Sequence, residues 1–236
     1  VELEAGNNVS IVKKDPEEGG LTTTYTVSAE STEINGGNNI DVNIEGNSTT
    51  INWNSSGTPL DCNSSGAGAE CYGAGAEAKG DQTTAIGSNA KSTADGATTL
   101  GSGAVANASN AIAIGLTAKA SKDDSIALGG QSVASAQNSL AIGKGAEATQ
   151  TGASALGAAS LASNVNSLAV GAGSNSSAVA STAVGVCALA NGISAVALGK
   201  ESKSSALRAT AVGADTRASG VNSTAVGYQS KSTGLG

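Results

Sequence analysis

Residues 143–156 read GKGAEATQTGASAL and residues 157–170 read GAASLASNVNSLAV: fourteen residues, opened by glycine and closed by an aliphatic side chain, then fourteen more on the same plan. The register runs outward in both directions without insertion or deletion. Glycine stands at Gly73, Gly87, Gly101, Gly115, Gly129, Gly143, Gly157, Gly171, Gly185, Gly199, Gly213 and Gly227. A short period held over this length marks a stack of coils in which each coil touches only its neighbours.

The flanks of the glycine give each coil its strands. The residue before it is Tyr72 once and thereafter Ile, Leu or Val, and the residue two before it is Ala in 10 of 12 units. Ile112, Ile126, Leu140, Leu168 and Val196 stand three before, with Thr or Ser in most other units. Such alternation belongs to a short extended segment with aliphatics on one face and Ala on the other. The expectation is that the aliphatic face points into the coil and leaves an Ala-rich face outside. Ala, Ser or Thr fills the third position after the glycine and Ala or Ser the fifth. The fourth accepts Glu77, Lys91, Lys119, Leu161, Lys203, Arg217 and Lys231 alike, so it faces solvent.

Each unit is therefore two short strands and two tight turns. The glycine ends one strand where φ is expected to be positive, and Ser, Thr or Asn six residues later begins the other turn. Helix is disfavoured by glycine every fourteen residues and by the lack of a 3.6 period. Twelve coils about 4.8 Å apart make a rod on the order of 55–60 Å long. The interior of a single column is thin, so lateral association through flat faces of small side chains is expected, with dimer and trimer both open.

Composition agrees with a repeat rather than a large globular core: no Phe, Met or His, one Trp, three Tyr and 33 Gly in 236 residues. Without periodicity such a chain would read as disordered. The net charge of −7 is uneven. Residues 1–72 hold 2 basic and 11 acidic groups (−9), and residues 73–236 hold 10 and 8 (+2). Acidity and the lack of interleaved aromatics oppose nucleic-acid binding. No apolar run reaches the length of a membrane-spanning helix. The chain opens on Val1-Glu2-Leu3-Glu4, with neither Met nor a signal peptide, and stops partway through a repeat, so it reads as an excised piece of a longer protein.

Residues 1–56 follow another plan. Ala5-Gly6-Asn7-Asn8-Val9-Ser10-Ile11 is echoed by Gly36-Gly37-Asn38-Asn39-Ile40-Asp41-Val42, and Thr22-Thr23-Thr24-Tyr25-Thr26-Val27 by Ser48-Thr49-Thr50-Ile51-Asn52-Trp53. Two successive β-hairpins fit the echo, turning at residues 15–20 and 45–47. Residues 57–72 read as a linker. They hold Cys62 and Cys71, nine apart, for which a local disulfide in an oxidising, exported setting is set against two free thiols. Cys187 is expected to be a buried small apolar group.

Asn138-Ser139-Leu140-Ala141-Ile142-Gly143, Asn166-Ser167-Leu168-Ala169-Val170-Gly171 and Asn222-Ser223-Thr224-Ala225-Val226-Gly227 resemble the repeat of the YadA-like head of trimeric autotransporter adhesins. The resemblance covers residues 73–236. It implies an all-β, left-handed parallel β-roll of 14-residue coils, three chains around one axis, on a Gram-negative outer membrane, with a C-terminal trimeric β-barrel anchor outside this sequence. Residues 1–56 are similar to the Trp-ring type of β domain that accompanies such heads, in which Trp53 would pack at the three-fold interface.

The resemblance also implies a role. Heads of this kind bind collagen, fibronectin or laminin, host cell receptors, other bacteria or surfaces, and in some members the Asn-Ser-x-Ala-x-Gly units take part in collagen binding. Carried over, these are Asn138, Ser139, Asn166, Ser167, Asn222 and Ser223. The outward basic residues Lys91, Lys119, Lys203, Arg217 and Lys231 could form an electropositive stripe, or could simply keep the surface soluble.

Catalysis finds no parts. Without His there is no Ser-His-Asp or Cys-His arrangement and no Cys/His metal set, and no cofactor is expected. Asp123-Asp124 reads as a solvated turn. The competing function is a passive spacer, favoured by the lack of an exposed aromatic cluster, since binding hot spots favour Trp, Tyr and Arg. An ice-binding solenoid would need a flat Thr ladder, whereas Thr99 is the only Thr two before the glycine. A fibre tip is a further alternative.

Overall fold

The computed structural model describes residues 9–14, 24–29, 39–45, 48–54 and 62–234, with side chains from residue 62 onward. The chain divides into two units, Val1–Gly57 and Thr58–Gly236. In the first, β1 (Val9–Lys14) pairs antiparallel with β2 (Thr24–Ala29), and β3 (Asn39–Glu45) with β4 (Ser48–Asn54). These are the two hairpins anticipated from the sequence echo. The β3–β4 register closes with Glu45 opposite Ser48 and places Ile40 opposite Trp53. Of the expected turns at 15–20 and 45–47, Glu45 belongs to β3 and the remaining residues, like the Trp53 side chain, lie outside the described residues.

The second unit is a solenoid of parallel strands. Each coil gives a three-residue strand to one sheet and a two-residue strand to the other, and the sheets reach 12 and 13 strands. Every rung pairs with the residue fourteen on: Leu140 with Ser154, Ala141 with Ala155, Ile142 with Leu156 in the first sheet, and Glu147 with Leu161 in the second. The first rungs come earlier than expected. Asn63–Ser64 pairs with Glu77–Ala78 and Glu70–Tyr72 with Thr84–Ile86, so the segment read as a linker is already a coil from residue 63. Its repeat is masked in sequence because Cys62 and Cys71 occupy the inward slots that Ala, Ser and Thr fill elsewhere.

The interior reverses the expectation drawn from the alternation. Ala141, Ala155 and Ala169 are fully buried, whereas the aliphatics on either side of them face outward, half-buried or exposed. Every buried apolar residue among the described ones is alanine, and the largest fully buried side chains are Thr83, Thr99 and Thr216. The reason is the width of the coil. Turns of four or five residues hold the two sheets so close that Ser92 of one sheet hydrogen-bonds Thr99 of the other at 3.0 Å, hydroxyl to hydroxyl. Ordinary sheet packing, about 10 Å apart, takes Leu and Ile between the layers; this gap takes Ala, Ser and Thr, with a disulfide in the entry coil.

The consequence is energetic. Four small inward side chains per coil contribute roughly 0.8 kcal/mol for each buried methyl, whereas one outward Leu or Ile would contribute about 1.5–3 kcal/mol if fully buried. Much of the apolar stabilisation open to this chain therefore lies on its surface. The folded column itself rests on its hydrogen-bond ladder, which extends into the turns. Gly143 N–H donates to Leu128 O at 2.7 Å and Gly145 N–H to Gly130 O at 2.9 Å, so stacked turns satisfy one another.

The repeating glycine is required twice over. Gly143 has φ +129°, a conformation L residues avoid, and a Cβ there would lie 2.6 Å from the carbonyl of Gly157 in the next coil. The glycines form a column in which each backbone abuts the next.

Candidate functional site

Each coil presents three kinds of outer surface. The 12-stranded sheet turns its aliphatic columns outward, with Ile86, Leu100, Ile142 and Val226 among its exposed members. The 13-stranded sheet turns out the variable fourth position, where Lys119, Lys203, Arg217 and Lys231 are exposed and Lys91 is half-buried. Between the sheets lie the turns, each with a left-handed residue two or nine positions after the repeating glycine.

Those turns explain the Asn-Ser pairs. Asn138 (φ 56°), Asn166 (φ 53°) and Asn222 (φ 58°) occupy the left-handed position, which Asn tolerates better than most residues, and all three are exposed. Ser139, Ser167 and Ser223 are buried. The hydroxyl of Ser139 donates to Ala136 O and that of Ser167 to Asn164 O, each at 2.6 Å, while Ser223 Oγ accepts from Gly220 N–H. The serines tie down the turn from inside; the asparagines are the members of each pair that a partner could reach.

The basic column is organised by the register. Lys203 lies opposite Arg217 and Arg217 opposite Lys231 on successive strands. They line an open depression of about 530 Å³ together with Glu201, Asp215 and Gln229. Lys91 is used otherwise. It shares Glu77 with Lys79, bonding Glu77 Oε1 at 3.0 Å, and the two ammonium groups, Lys79 first, hold the Glu77 carboxyl below its ordinary range.

Cys62 and Cys71 form a disulfide, with Cα atoms 5.8 Å apart. It crosses the interior of the entry coil, tying the approach to one sheet to a strand of the other. Cys187 is exposed, contrary to expectation, because two residues after the glycine is a turn tip (φ 55°).

One surface was not anticipated. Eight residues after the glycine, Asp81, Asp95 and Asp123 accept hydrogen bonds from the backbone N–H of Ala67, Asp81 and Ser109 in the preceding coil. Further along the same column stand Val165, Val179, Ile193, Leu207 and Val221, all exposed. A column-by-column reading of the repeat would have found this change of character. Among the described residues no cluster of His, Cys, Asp and Glu could hold a metal, and no helix is long and apolar enough to cross a membrane.

The YadA head domain repeat model matches residues 78–104, 106–132, 120–146, 134–160, 148–174, 162–186, 190–216 and 218–236. The chain belongs to the YadA head repeat family. A structural neighbour is the collagen-binding domain of the Yersinia adhesin YadA, at 24% identity over 66% of this chain and 73% of that one, with a TM-score of 0.41. A search of curated proteins finds no match. The YadA-type head is built here as a β-solenoid of 14-residue coils.

Proposed function

We propose that this chain is the head of a trimeric autotransporter adhesin, displayed on a bacterial surface and attaching it to extracellular matrix proteins such as collagen, to host cells, to other bacteria or to surfaces. Membership of the YadA head family over most of the chain carries the reading. The aliphatic columns of the 12-stranded sheet supply the reason to assemble, since lone monomers rarely leave apolar patches of this extent in water. In the trimer these columns face neighbouring copies, and the 13-stranded sheet with its charged slots faces outward. Residues 1–56 act as the Trp-ring-like domain of the same trimer, with Trp53 at the three-fold interface, and membrane attachment comes from a C-terminal anchor beyond this sequence.

Native mass measurement followed by solid-phase binding to collagen, fibronectin, laminin and cultured cells tests the proposal. A trimer with saturable binding to at least one of them is the expected result. A monomer overturns the architecture. A trimer that binds nothing leaves a spacer, the reading favoured by the regularity of the coil.

A further inference from the structure

The outward column of the 13-stranded sheet runs Glu77, Lys91, Val105, Lys119, Val133, Glu147, Leu161, Asn175, Leu189, Lys203, Arg217, Lys231. Over its first nine positions no two like charges are neighbours. Glu77 and Lys91 form an ion pair, and Lys119 stands between two valines. The last three positions break this rule with three consecutive cations, in register on adjacent parallel strands about 4.8 Å apart. Like charges directly opposite one another on neighbouring strands are destabilising. Among the described residues none of the three has an ion-pair partner within 4 Å, and all three are exposed.

The wider charge distribution agrees. Residues 200–231 carry 5 basic and 2 acidic groups, net +3, in a chain whose total is −7; the other residues therefore sum to −10. The two acids, Glu201 and Asp215, border the depression, and Glu201 is already engaged by Lys200 at 3.4 Å. A straight row of unpaired cations in an open depression fits an extended polyanion whose charges recur along its length.

We infer that Lys203, Arg217 and Lys231 form a binding rail for a sulfated polysaccharide, such as the glycosaminoglycan chains that cover host cells and matrix. The inference rests on the reading of the chain as a surface-displayed head, which puts such polymers within reach. Strong acid groups on a flexible chain can follow a straight row of cations. Duplex nucleic acid, the other abundant polyanion, is held by neutralising many phosphates, whereas the row offers three cations per chain.

The test compares the assembled chain with K203Q/R217Q/K231Q and with K91Q/K119Q on immobilised heparin, N- and O-desulfated heparin and duplex DNA, across a salt series. The expected result is salt-sensitive binding to heparin but not to its desulfated form, weakened about tenfold or more in the triple variant and unchanged in the double variant. Absence of heparin binding, equal loss in both variants, or preference for duplex DNA overturns the rail. All substituted side chains lie outside the coil interior, and an unchanged melting curve confirms that the variants fold. The adhesin reading fails separately. A triple variant that loses heparin yet still binds matrix protein locates the rail apart from the main ligand site; heparin binding without any saturable matrix or cell binding upholds the rail and removes that broader reading.

Discussion

The two sheets of the solenoid are made from the same coil yet expose opposite chemistry. Inward they are alike, Ala and Ser with an occasional Thr, because they share one narrow gap. Outward, the 12-stranded sheet presents Ile, Leu or Val before nearly every glycine, with aliphatics or Thr and Ser three before it, whereas the 13-stranded sheet presents Lys, Arg, Glu, Val, Leu and Asn in no fixed pattern. An outward position held to aliphatics through most of the coils is constrained by something outside the coil. One that accepts any side chain is constrained by nothing in the fold and is free to carry specificity. The comparison divides the molecule into an apolar face and a variable face.

The largest expected effect lies where the sheets meet, because it removes both at once. Gly143→Val places a β-branched residue at φ +129° with its Cβ 2.6 Å from backbone of the next coil, so relief requires the column to open. A cost above about 3 kcal/mol is expected, read as a lowered melting temperature or loss of soluble protein. Gly145→Asn, two residues on, has open space around the new Cβ and a φ of +63°, the conformation Asn89 adopts at the equivalent position. It should melt within about 1 kcal/mol of the parent. Equal behaviour of the two variants would show that the stacked glycines do not limit the fold.

Next in size is a charge placed on one sheet and then on the other. Ile142→Lys puts an ammonium among the outward aliphatics of the 12-stranded sheet, where each copy of an assembled trimer would bury it, and native mass measurement should show a shift from trimer to monomer. Val133→Lys makes the same change on the 13-stranded sheet and should leave assembly intact. Loss of assembly by Val133→Lys, or its retention by Ile142→Lys, would exchange the two faces.

Which side of the strand before the glycine faced inward was the part of the fold that sequence could not supply; for the other strand the freely varying fourth position marked the outside correctly. Period, strand positions from Gly73 onward and the need for glycine were all legible, because the interior slots repeat in every coil. Alternation of Ile and Ala identifies two faces without saying which is inside, and the usual preference for burying the larger side chain chose wrongly. The deciding quantity is the gap between sheets, which shows only in contacts such as Ser92 to Thr99. The site divided similarly. Lys203, Arg217 and Lys231 were recognisable as outward cations, but their significance as a row came from the strand register. Asn138 and Ser139 looked like a unit, yet one is an exposed turn residue and the other an internal tether.

A smaller effect is expected where the sheets are joined covalently. The Cys62–Cys71 disulfide closes the entry coil, whose inward slots would otherwise hold small residues. Cys62→Ala/Cys71→Ala restores that pattern at both positions and removes only the loop constraint. Closing so short a loop is worth up to about 3 kcal/mol if the coil unfolds with the rest. Because a solenoid can fray from its end, the expected result is local: faster amide hydrogen exchange in residues 62–72 and little change around Ala141. Uniform acceleration along the column would mean that the coils unfold as one unit.

The smallest expected effect is on the variable face alone. Lys79 and Lys91 hold the Glu77 carboxyl below its ordinary value of 4.5, so its charged form is favoured in the folded state. A depressed carboxyl contributes stability above its unfolded value and loses that contribution as pH falls through the folded one. The entry coils should therefore loosen slightly under acid while neutral pH leaves them unchanged. In Lys79→Gln/Lys91→Gln the Glu77 titration, followed by carbon NMR of the carboxyl, should move back up toward its ordinary value. Since Glu77 and Lys91 lie on the outer side of one sheet and Lys79 is exposed just beyond its strand, salt should weaken the effect in the parent protein, and aliphatic packing on the opposite sheet should be insensitive to it. A Glu77 titration unmoved by the double variant would mean that the two lysines do not set it and that the ion pairs contribute nothing to the entry coils.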